Sequence, residues 1–456
     1  MKYTFRGGAH VKEHKHTAAC PIEPLRDVGQ VAIPMSQHIG IHCTPTVAVG
    51  DYVYRGQMIG DVANGLGCPV HSSVSGKVLA IEKRQNVMGT VIEHVIIEND
   101  GQGTLAPEIV PRTKGLSETS NEELIEIIRR AGISGMGGAT FPTYAKIQSA
   151  LGKVDRVIIN CAECEPYITV NHRLMLEEPM SILGGTQILL KIFGVMKARI
   201  AVEDNKMDAV RVLRRARDAS RRIRIKIMKT KYPQGDERQL IYALTKKEIP
   251  AGKLPADVGC VIFNAETCAA IYHAFVDNMP LIDRLVTVDG DCIRTPKNLR
   301  VPIGTSYTDL IAACGGLKKV PDRVINGGPM MGFAQWSLDT PVTKGTAAVL
   351  VLSKDKVQKQ TLPSACIRCG TCVKNCPMHL MPNYLAAFAR TKQYAEAEKL
   401  NVLSCVECGT CSYRCPGQVE IVQYIRVAKG AIRAEQAAAR ARASAAAPDL
   451  GNGGKK

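Results

Sequence analysis

No stretch of this 456-residue sequence approaches the roughly 18 uninterrupted apolar residues that a transmembrane helix needs. The first eight residues contain no apolar core of the kind that secretory signals carry, so we expect a cytosol-like compartment. The hydrophobic fraction of 45% and the charged fraction of 22% are close to the averages for soluble globular proteins, which argues against disorder, collagen or coiled coil over the whole chain. A chain of this length predicts roughly two to four domains.

Acidic residues are scarce relative to basic ones, because Lys and Arg exceed Asp and Glu by 17. Ten of these excess charges fall in residues 191–231, whose arginine runs have no interleaved aromatic side chains to stack bases. We therefore expect no nucleic-acid binding. A solvated helix face between two strands is the favoured explanation, and docking to an acidic partner or a membrane surface is the alternative. The arginines concerned are Arg214, Arg215, Arg217, Arg221, Arg222 and Arg224.

The 17 cysteines, an odd number, argue against a disulfide framework and indicate metal or redox chemistry. Eight of them form one pattern, Cys-x-x-Cys-x-x-Cys-x-x-x-Cys-Pro, which occurs twice at an offset of 39 residues. In two-cluster ferredoxins the fourth cysteine of each run ligates the other cluster. The repeat therefore predicts two 4Fe-4S clusters, the first held by Cys366, Cys369, Cys372 and Cys415 and the second by Cys376, Cys405, Cys408 and Cys411.

Zinc is the alternative for these cysteines, but a tetrahedral site built from Cys-x-x-Cys pairs leaves no role for a third cysteine two residues later. Cys161 and Cys164 form an isolated Cys-x-x-Cys without a second pair. We expect them to be small packing residues, with a zinc or redox role as the alternative. The other seven cysteines are scattered, and buried thiols are ordinary.

The first two segments differ in their hydrophobic periodicity. Residues 1–112 show short alternating runs punctuated by Gly and Pro, which is typical of a β-rich barrel. Its turns resemble those of lipoyl- and biotinyl-type hybrid barrels, but no lysine lies between Arg55 and Lys77 to carry a swinging arm. Residues 113–280 alternate helical stretches with buried strands and predict an α/β domain. The predicted strands are 157–159, 200–202, 223–228 and 261–263.

The remaining sequence divides into three shorter parts. Residues 281–345 return to short strands and Gly/Pro turns, so we expect a small β-rich module there. Residues 360–430 hold the cysteine repeat around a predicted helix over 384–400, which indicates a helical, ferredoxin-like domain. Residues 431–456 are an Ala- and Arg-rich tail, for which we expect a frayed helix and disorder beyond about residue 445.

A glycine-rich loop over residues 135–143 opens a predicted helix at residues 144–151. Residues without side chains before a helix N-terminus let backbone N–H groups reach a phosphate. A plain turn is the alternative for such a loop taken alone. The pattern is not the Rossmann one, because a helix rather than a strand precedes it.

Three further segments, 160–166, 232–238 and 263–267, each follow a predicted strand. Together with the glycine loop they resemble, in order, the flavin- and NADH-binding segments of the 51-kDa subunit of respiratory complex I. The resemblance implies that Phe141 and Glu165 face the nicotinamide nucleotide, with no catalytic acid or base beyond the cofactor site. It also implies FMN contacts at Gly135, Gly137, Gly138, Lys146, Asn160, Glu163, Gly235, Asp236, Glu237 and Asn264.

The sequence departs from the complex I pattern at four positions. Met136 stands where that family has Arg, and Thr140 where it has Gly. Ala162 replaces an Asp, and Asp236 replaces a Glu. These departures concern individual contacts to FMN or the dinucleotide rather than the order of the segments.

Apart from the tail, the whole sequence is more similar to the C-subunit family of the Rnf electron-transport complex. The similarity includes Phe5-Arg6-Gly7-Gly8, His14-Lys15, residues 33–40, 160–167 and 327–332, and the cysteine repeat. It implies a multidomain α/β and α+β protein: a barrel-sandwich hybrid, an α/β FMN domain, a β-grasp-like ligand-binding module and a domain with two 4Fe-4S clusters.

Membership of that family would make the chain a peripheral electron-transfer subunit on the cytoplasmic side of the inner membrane. Its partners would be the ferredoxin-like B subunit and the membrane subunits A, D, E and G, with membrane contact through them. Electrons would pass between NAD(H), FMN and the two clusters, because only a flavin exchanges both hydride and single electrons. The complex would couple ferredoxin:NAD oxidoreduction to Na⁺ or H⁺ translocation.

Three other functions compete with this hypothesis. The chain could be a non-catalytic electron relay and docking subunit with a vestigial glycine loop. It could be a diaphorase subunit of a soluble hydrogenase or formate dehydrogenase, although the N-terminal barrel and the short cluster domain fit that less well. The related quinone-reductase A subunit shares the fold but lacks clusters, so the eight-cysteine repeat argues against it.

Overall fold

The computed structural model describes residues 2–217, 222–357 and 365–446, in two compact units. The first unit comprises the described residues of 1–5 and 10–359, and the second those of 6–9 and 360–456. Each unit has its own hydrophobic core. Within the described residues, no helix combines the length and apolar character needed to cross a membrane.

The N-terminal part of the first unit consists of two small antiparallel sheets, in the orders β2-β8-β7-β4 and β3-β5-β6. The long hairpin of β7 and β8 buries Val78, Val95 and Ile97 completely. Gly76 is required where β7 begins, since a Cβ there would lie 1.8 Å from the Glu98 carbonyl oxygen. The strands are β1 (Ile22–Pro24), β2 (Gln30–Pro34), β3 (Thr44–Pro45), β4 (Tyr52–Val53), β5 (Met58–Asp61), β6 (Val70–His71), β7 (Gly76–Gln85) and β8 (Val91–Asn99).

The middle part is an α/β domain around a parallel sheet in the order β11-β10-β9-β12, and its four strands confirm those predicted. Ser120 caps the first helix by accepting the Glu123 N–H. Short 3-10 turns lie at Leu116–Glu118 and Pro255–Val258. The other elements are α1 (Asn121–Arg130), α2 (Thr143–Ala150), β9 (Arg156–Asn160), α3 (Val170–Glu177), α4 (Pro179–Phe193), β10 (Ala198–Glu203), α5 (Met207–Ala216), β11 (Ile223–Met228), α6 (Glu237–Thr245), β12 (Cys260–Asn264) and α7 (Ala265–Val276).

The basic segment, residues 191–231, includes the end of α4, β10, α5 and β11. α5 buries Ala209, Val210 and Leu213, while Arg214 and Arg215 are exposed. Two of the six arginines thus lie on an exposed helix face, whereas Arg217 is half-buried and Arg224 lies on β11. Arg221 lies outside the described residues.

The third part is a six-stranded mixed sheet in the order β1-β14-β13-β17-β15-β16. Two of its strands lie outside the predicted 281–345 module, since β1 comes from the N-terminal segment and β17 begins at Ala348. Buried valines of β13 and β17 form its core. The new elements are β13 (Asp283–Asp289), β14 (Lys297–Pro302), α8 (Tyr307–Ala313), β15 (Arg323–Asn326), β16 (Phe333–Gln335) and β17 (Ala348–Leu352).

The second unit is helical and carries the cysteine repeat. The helix predicted over 384–400 is two helices, because the chain turns at Lys392 with a φ of 55°. The last helix runs through the first part of the tail, and the expected disorder beyond about residue 445 falls mostly on residues outside the described ranges. The helices are α9 (Thr371–Lys374), α10 (Pro382–Arg390), α11 (Tyr394–Lys399), α12 (Thr410–Tyr413) and α13 (Ile421–Ala446), with a 3-10 turn at Val402–Ser404.

Candidate cofactor sites

The predicted flavin residues meet at the carboxyl edge of the four-stranded parallel sheet. β10 and β11 lie on one side of β9, and β12 lies on the other side. The order in which strands are added to the sheet therefore changes side at the gap between β9 and β12. Open parallel sheets bind ligands outside the carboxyl ends of their strands at such a switch point. Asn160 ends β9, Asn264 ends β12, and the two residues are paired in register.

The glycine loop between α1 and α2 closes on itself beside this edge. The Gly135 N–H donates to the Phe141 carbonyl oxygen at 2.9 Å, and Gly137 and Gly138 are exposed. A Cβ on Gly137 would lie 3.0 Å from Asn264 Cβ, whereas a Cβ on Gly138 would have no atom of the described chain within 4 Å. The loop therefore packs against Asn264 at Gly137 and leaves open space at Gly138.

Asn160 joins two of the predicted segments through both ends of its side-chain amide. Its Nδ2 donates to the Gly235 carbonyl oxygen at 2.7 Å, and its Oδ1 accepts the Ala162 N–H at 3.1 Å. Gly235 is packed so closely that a Cβ there would lie 2.9 Å from the Ala162 carbonyl oxygen. The segments 160–166 and 232–238 are thus in contact at the sheet edge.

Lys146 supplies a cation from the first turn of α2. Its Nζ lies 2.6 Å from Glu237 Oε1 and 5.6 Å from the centroid of the Phe263 ring. Both charged side chains are partly exposed, so the pair is open to solvent and to a ligand. The ion pair connects α2 to α6, and the contact with the Phe263 ring connects α2 to β12.

Three helices begin at this edge. Asp236 caps α6, and Asn264 caps α7 by accepting the Glu266 N–H at 2.8 Å. Burial raises the pKa of Asp236 to about 6. α2 follows Pro142 without a side-chain cap, so its first-turn N–H groups are the ones without a capping side chain. Such groups attract an anion, because the helix dipole places partial positive charge there.

Glu163 and Glu165 have different surroundings. Glu163 is buried, its Oε1 accepts the Asn171 N–H at 2.8 Å, and its Oε2 has no partner in the described chain. Glu165 accepts the N–H groups of Met330 and Met331 at 3.1 and 2.9 Å, and burial raises its pKa to about 7. The carboxylate of Glu165 is predicted to face the nicotinamide. In the structure it binds the backbone of the 327–332 loop.

Met136, one of the departures from the complex I pattern, lies in the interior of the loop rather than on its exposed face. Met136 is buried, and its N–H donates to Thr267 Oγ1 at 3.2 Å, so it packs into the core below the loop. Phe141 is half-buried at the end of the same loop.

Cys161 is fully buried, and burial raises the pKa of both Cys161 and Cys164, as expected for packing residues.

A buried ion pair beside the site is absent from the sequence predictions. Lys206 Nζ donates to Glu203 Oε2 at 2.8 Å, and both side chains are almost fully buried. The same Glu203 oxygen accepts the Glu163 N–H at 3.0 Å. The signal available in the sequence is a pair of opposite charges three residues apart, directly at the end of the predicted strand 200–202.

The residues at this edge fit a flavin nucleotide. The space beside Gly138 and the uncapped N-terminus of α2 suit a phosphate, with Lys146 as a cation nearby. The orphaned Glu163 Oε2 is a buried acceptor that a ligand N–H would satisfy. Ten predicted FMN contacts therefore come from segments that the fold brings to one edge of one sheet.

The two cysteine runs adopt the same backbone conformation. Arg368 and Glu407, which are 39 residues apart, have φ values of 56° each, and Gly370 and Gly409 have 71° and 79°. The short helices α9 and α12 follow at the same offset. The repeat in sequence is therefore also a repeat in structure.

The structure brings each fourth cysteine to the opposite run. Cys415 lines one cavity together with Cys366, Cys369 and Cys372. Cys376 interacts electrostatically with Cys408, Cys405 and Cys411 of the second run and also with Cys372 of its own run. Burial raises the pKa of the Cys376, Cys405 and Cys411 thiols. The number and grouping of these thiols match the eight ligands of two cubane clusters, for which the cysteines must be thiolates.

Lys429 of α13 lies beside the second set. Its Nζ donates to the Cys405 carbonyl oxygen at 2.7 Å and to Glu407 Oε1 at 2.5 Å. The Lys429 side chain is buried. It places a positive charge against the loop that holds Cys405.

Four domain families match the chain in succession. They are the RnfC barrel sandwich hybrid domain at residues 3–102, the Nuo51 FMN-binding domain at 128–273, the SLBB domain at 285–334 and a 4Fe-4S dicluster domain at 358–420. They confirm the predicted order of a hybrid barrel, a flavin domain, a small ligand-binding module and a two-cluster domain.

Two relatives match almost the whole chain, and both are C subunits of ion-translocating complexes. The chain is 43% identical to that of the Na⁺-translocating ferredoxin:NAD⁺ oxidoreductase complex of Acetobacterium woodii, over 95% of this chain and 98% of the relative. It is 45% identical to that of the proton-translocating ferredoxin:NAD⁺ oxidoreductase complex of Clostridium ljungdahlii, over 95% of each.

Among solved structures, an NAD⁺-reducing NiFe hydrogenase in its air-oxidized state has a similar fold, with a TM-score of 0.50 and 18% identity. The match covers 68% of this chain and spans 63% of the hydrogenase chain. At this identity the similarity concerns the fold alone.

Proposed function

From the premise that the chain belongs to the RnfC family, the C subunits of ion-translocating ferredoxin:NAD⁺ oxidoreductase complexes, we propose that it exchanges electrons with NAD(H) through FMN and two 4Fe-4S clusters. The observation that carries the proposal is the convergence of the glycine loop, Asn160, Gly235 and Asn264 at one sheet edge. The same chain carries the eight-cysteine repeat, so both kinds of redox group have a place on it.

When bound, FMN supplies the step from a two-electron hydride to single electrons, which 4Fe-4S clusters carry. The glycine loop and the N-terminus of α2 bind the phosphate, and Lys146 adds a cation beside it. Asn160 holds the segment of Gly235 in place through its amide. Glu163 offers a buried acceptor to the ring system.

The described residues at this edge are closely packed, since Gly137 lies against the side chain of Asn264 and Gly235 against the carbonyl oxygen of Ala162. We assign no general acid or base among these residues, because hydride transfer between a nicotinamide and a flavin would need none. Cys366, Cys369, Cys372 and Cys415 would hold the first cluster, and the other four cysteines of the repeat the second.

Assembly follows from the family. The partners are the other subunits of the complex, and we propose that the chain sits on the cytoplasmic face of the membrane, where NAD(H) is available. Protease treatment of inverted and right-side-out vesicles tests the sidedness. Cleavage of the chain only in inverted vesicles supports it, and cleavage only in right-side-out vesicles contradicts it.

The test of the redox assignment is anaerobic purification of the chain with assays of iron, sulfide, flavin and NADH-dependent ferricyanide reduction. We expect about eight irons per chain. Gly138→Val should abolish FMN binding while the fold persists, because its side chain would fill space at the glycine loop that no atom of the described chain occupies. Gly29→Val is the matched control. A Cβ at Gly29 also meets no described atom within 4 Å, but Gly29 lies in the N-terminal barrel rather than in the glycine loop.

A second candidate, a relay subunit without NADH chemistry, is favoured by one observation. Glu165, which would face the nicotinamide, is already engaged by the Met330 and Met331 N–H groups. A chain that keeps about eight irons and binds FMN but does not oxidise NADH would establish this candidate over the first. A chain that retains no flavin would reject the flavin part of the proposal.

A further inference from the structure

Lys15 reaches from the N-terminal segment into the loop that follows β9. Its Nζ lies 2.9 Å from the Glu163 carbonyl oxygen, 2.8 Å from that of Glu165 and 2.6 Å from that of Ile168. The lysine and the loop are about 150 residues apart in the sequence. Three carbonyl groups of one loop thus converge on a single side chain.

The geometry requires the charged form of Lys15. A lysine ammonium has three donors, whereas the neutral amine has two, and all three partners here are carbonyl oxygens that only accept. Burial lowers the pKa of Lys15 from its usual 10.5, and the neighbouring Lys206 lowers it further, while Glu163 and Glu203 oppose the change. The carboxylates therefore help to keep the cation in place.

The other side of the same loop is held by the buried Glu203–Lys206 pair. Glu203 Oε2 accepts the Glu163 N–H at 3.0 Å and the Lys206 Nζ at 2.8 Å. The peptide of Glu163 is consequently fixed at its carbonyl by Lys15 and at its N–H by Glu203. This loop carries both acidic side chains assigned to the flavin and nicotinamide.

We propose that Lys15 is a positioning residue for the flavin site: its ammonium fixes the backbone of Glu163 and Glu165 and places a positive charge beneath that segment. The inference rests on the proposed flavin function. The carbonyl groups would otherwise be buried acceptors without partners, so their loop would relax and its acidic side chains would move.

The buried charge has its own effect. A cation in a low-dielectric environment stabilises negative charge that arrives on a neighbouring redox group, and so raises the reduction potential of that group. A purely mechanical clamp would not do this. The potential therefore separates the electrostatic part of the proposal from simple support of the loop.

The chain offers a matched control for this lysine. Lys191 Nζ also contacts three carbonyl oxygens, those of Leu116, Ser117 and Thr119, but it ties α4 to a 3-10 turn away from the flavin segments. Lys15→Met and Lys191→Met therefore remove the same chemistry at two places. Methionine keeps an unbranched side chain, one heavy atom shorter than that of lysine, without the charge.

The experiment uses the full chain, with FMN titration by fluorescence quenching, flavin redox titration and thermal unfolding. We expect Lys15→Met to weaken FMN binding at least tenfold and to favour oxidised over reduced flavin tenfold, about 30 mV in a two-electron midpoint. Lys15→Arg should restore the potential, because it keeps the charge. Lys191→Met should change neither property, whatever it does to the unfolding temperature.

Each outcome separates the two proposals. If the wild-type chain binds no FMN, the proposed function fails and the role of Lys15 fails with it. If the wild-type chain binds FMN but Lys15→Met behaves like Lys191→Met, only the role of Lys15 is wrong. If Lys15→Arg shifts the potential as far as Lys15→Met does, the charge is not the cause.

Discussion

Exchange of the fourth cysteine between the two runs can be tested with two double variants. Cys366→Ala combined with Cys415→Ala removes two ligands of one cluster in the crossed arrangement, but one ligand of each cluster in an uncrossed arrangement. Cys366→Ala combined with Cys376→Ala does the reverse. The two arrangements therefore predict opposite results from the same pair of proteins.

The number of irons expected in each double variant follows from which thiols lie together in the structure. Cys415 shares a cavity with Cys366, Cys369 and Cys372, so the first double variant should damage that group alone and keep about four irons per chain. Cys376 belongs with the thiols of the second run, so the Cys366 and Cys376 double variant should damage both groups and keep almost none.

The assay is iron and sulfide analysis of protein purified anaerobically, with electron paramagnetic resonance of the dithionite-reduced samples. Cys20→Ala combined with Cys292→Ala is the control for loss of two cysteines outside the repeat, and it should keep about eight irons. Retention of about four irons by the Cys366 and Cys376 variant, with loss of all iron from the Cys366 and Cys415 variant, would refute the crossed assignment.

Three further results are expected. The pKa of Asp236 is raised to about 6, so the folded wild type binds a proton that the unfolded chain releases near pH 4, and the stability of the wild type falls as pH rises through this range. In denaturant unfolding of cofactor-free protein, the stability of Asp236→Asn relative to wild type should therefore rise by about 1 kcal/mol between pH 5 and 7.5. An equal difference at both pH values would contradict burial of the carboxyl. Lys146→Ala should weaken FMN binding about tenfold but change the unfolding free energy by less than about 1 kcal/mol, because its pair with Glu237 is partly exposed; an equally large loss of stability would indicate a structural role instead. Lys429→Met removes a buried cation beside Cys405 and should lower the midpoint potential of the second cluster by tens of millivolts in a redox titration, with the iron content unchanged.

Local signals in the sequence account for much of the fold. The four parallel strands are predictable because strands buried on both faces are continuous apolar runs, as residues 157–159 and 261–263 show. The start of α1 is predictable because Ser120 caps it in the usual way. The cysteine spacing predicts the ligand groups, since the loop between successive cysteines is too short to vary much.

Other features leave no local signal. The break between α10 and α11 falls at Lys392, which adopts a left-handed conformation without being Gly or Asn. The bonds of Glu165 to the N–H groups of Met330 and Met331 join residues 165 and 166 positions apart. The contacts of Lys15 are to backbone carbonyls, whose positions depend on the folded loop rather than on any residue type. Such contacts require the tertiary structure.

The place of β1 in the third sheet has a consequence for how the protein is made. β1 pairs with β14, and Ile22 is in register with Asn298. β1 therefore cannot pair until β14 has been synthesised. At ribosomal rates of about 5–20 residues per second, the N-terminal strand stays unpaired for some tens of seconds. During that interval β1 is an open strand edge that other nascent chains could bind. We therefore expect chaperone dependence during synthesis to be strongest before residue 302 emerges.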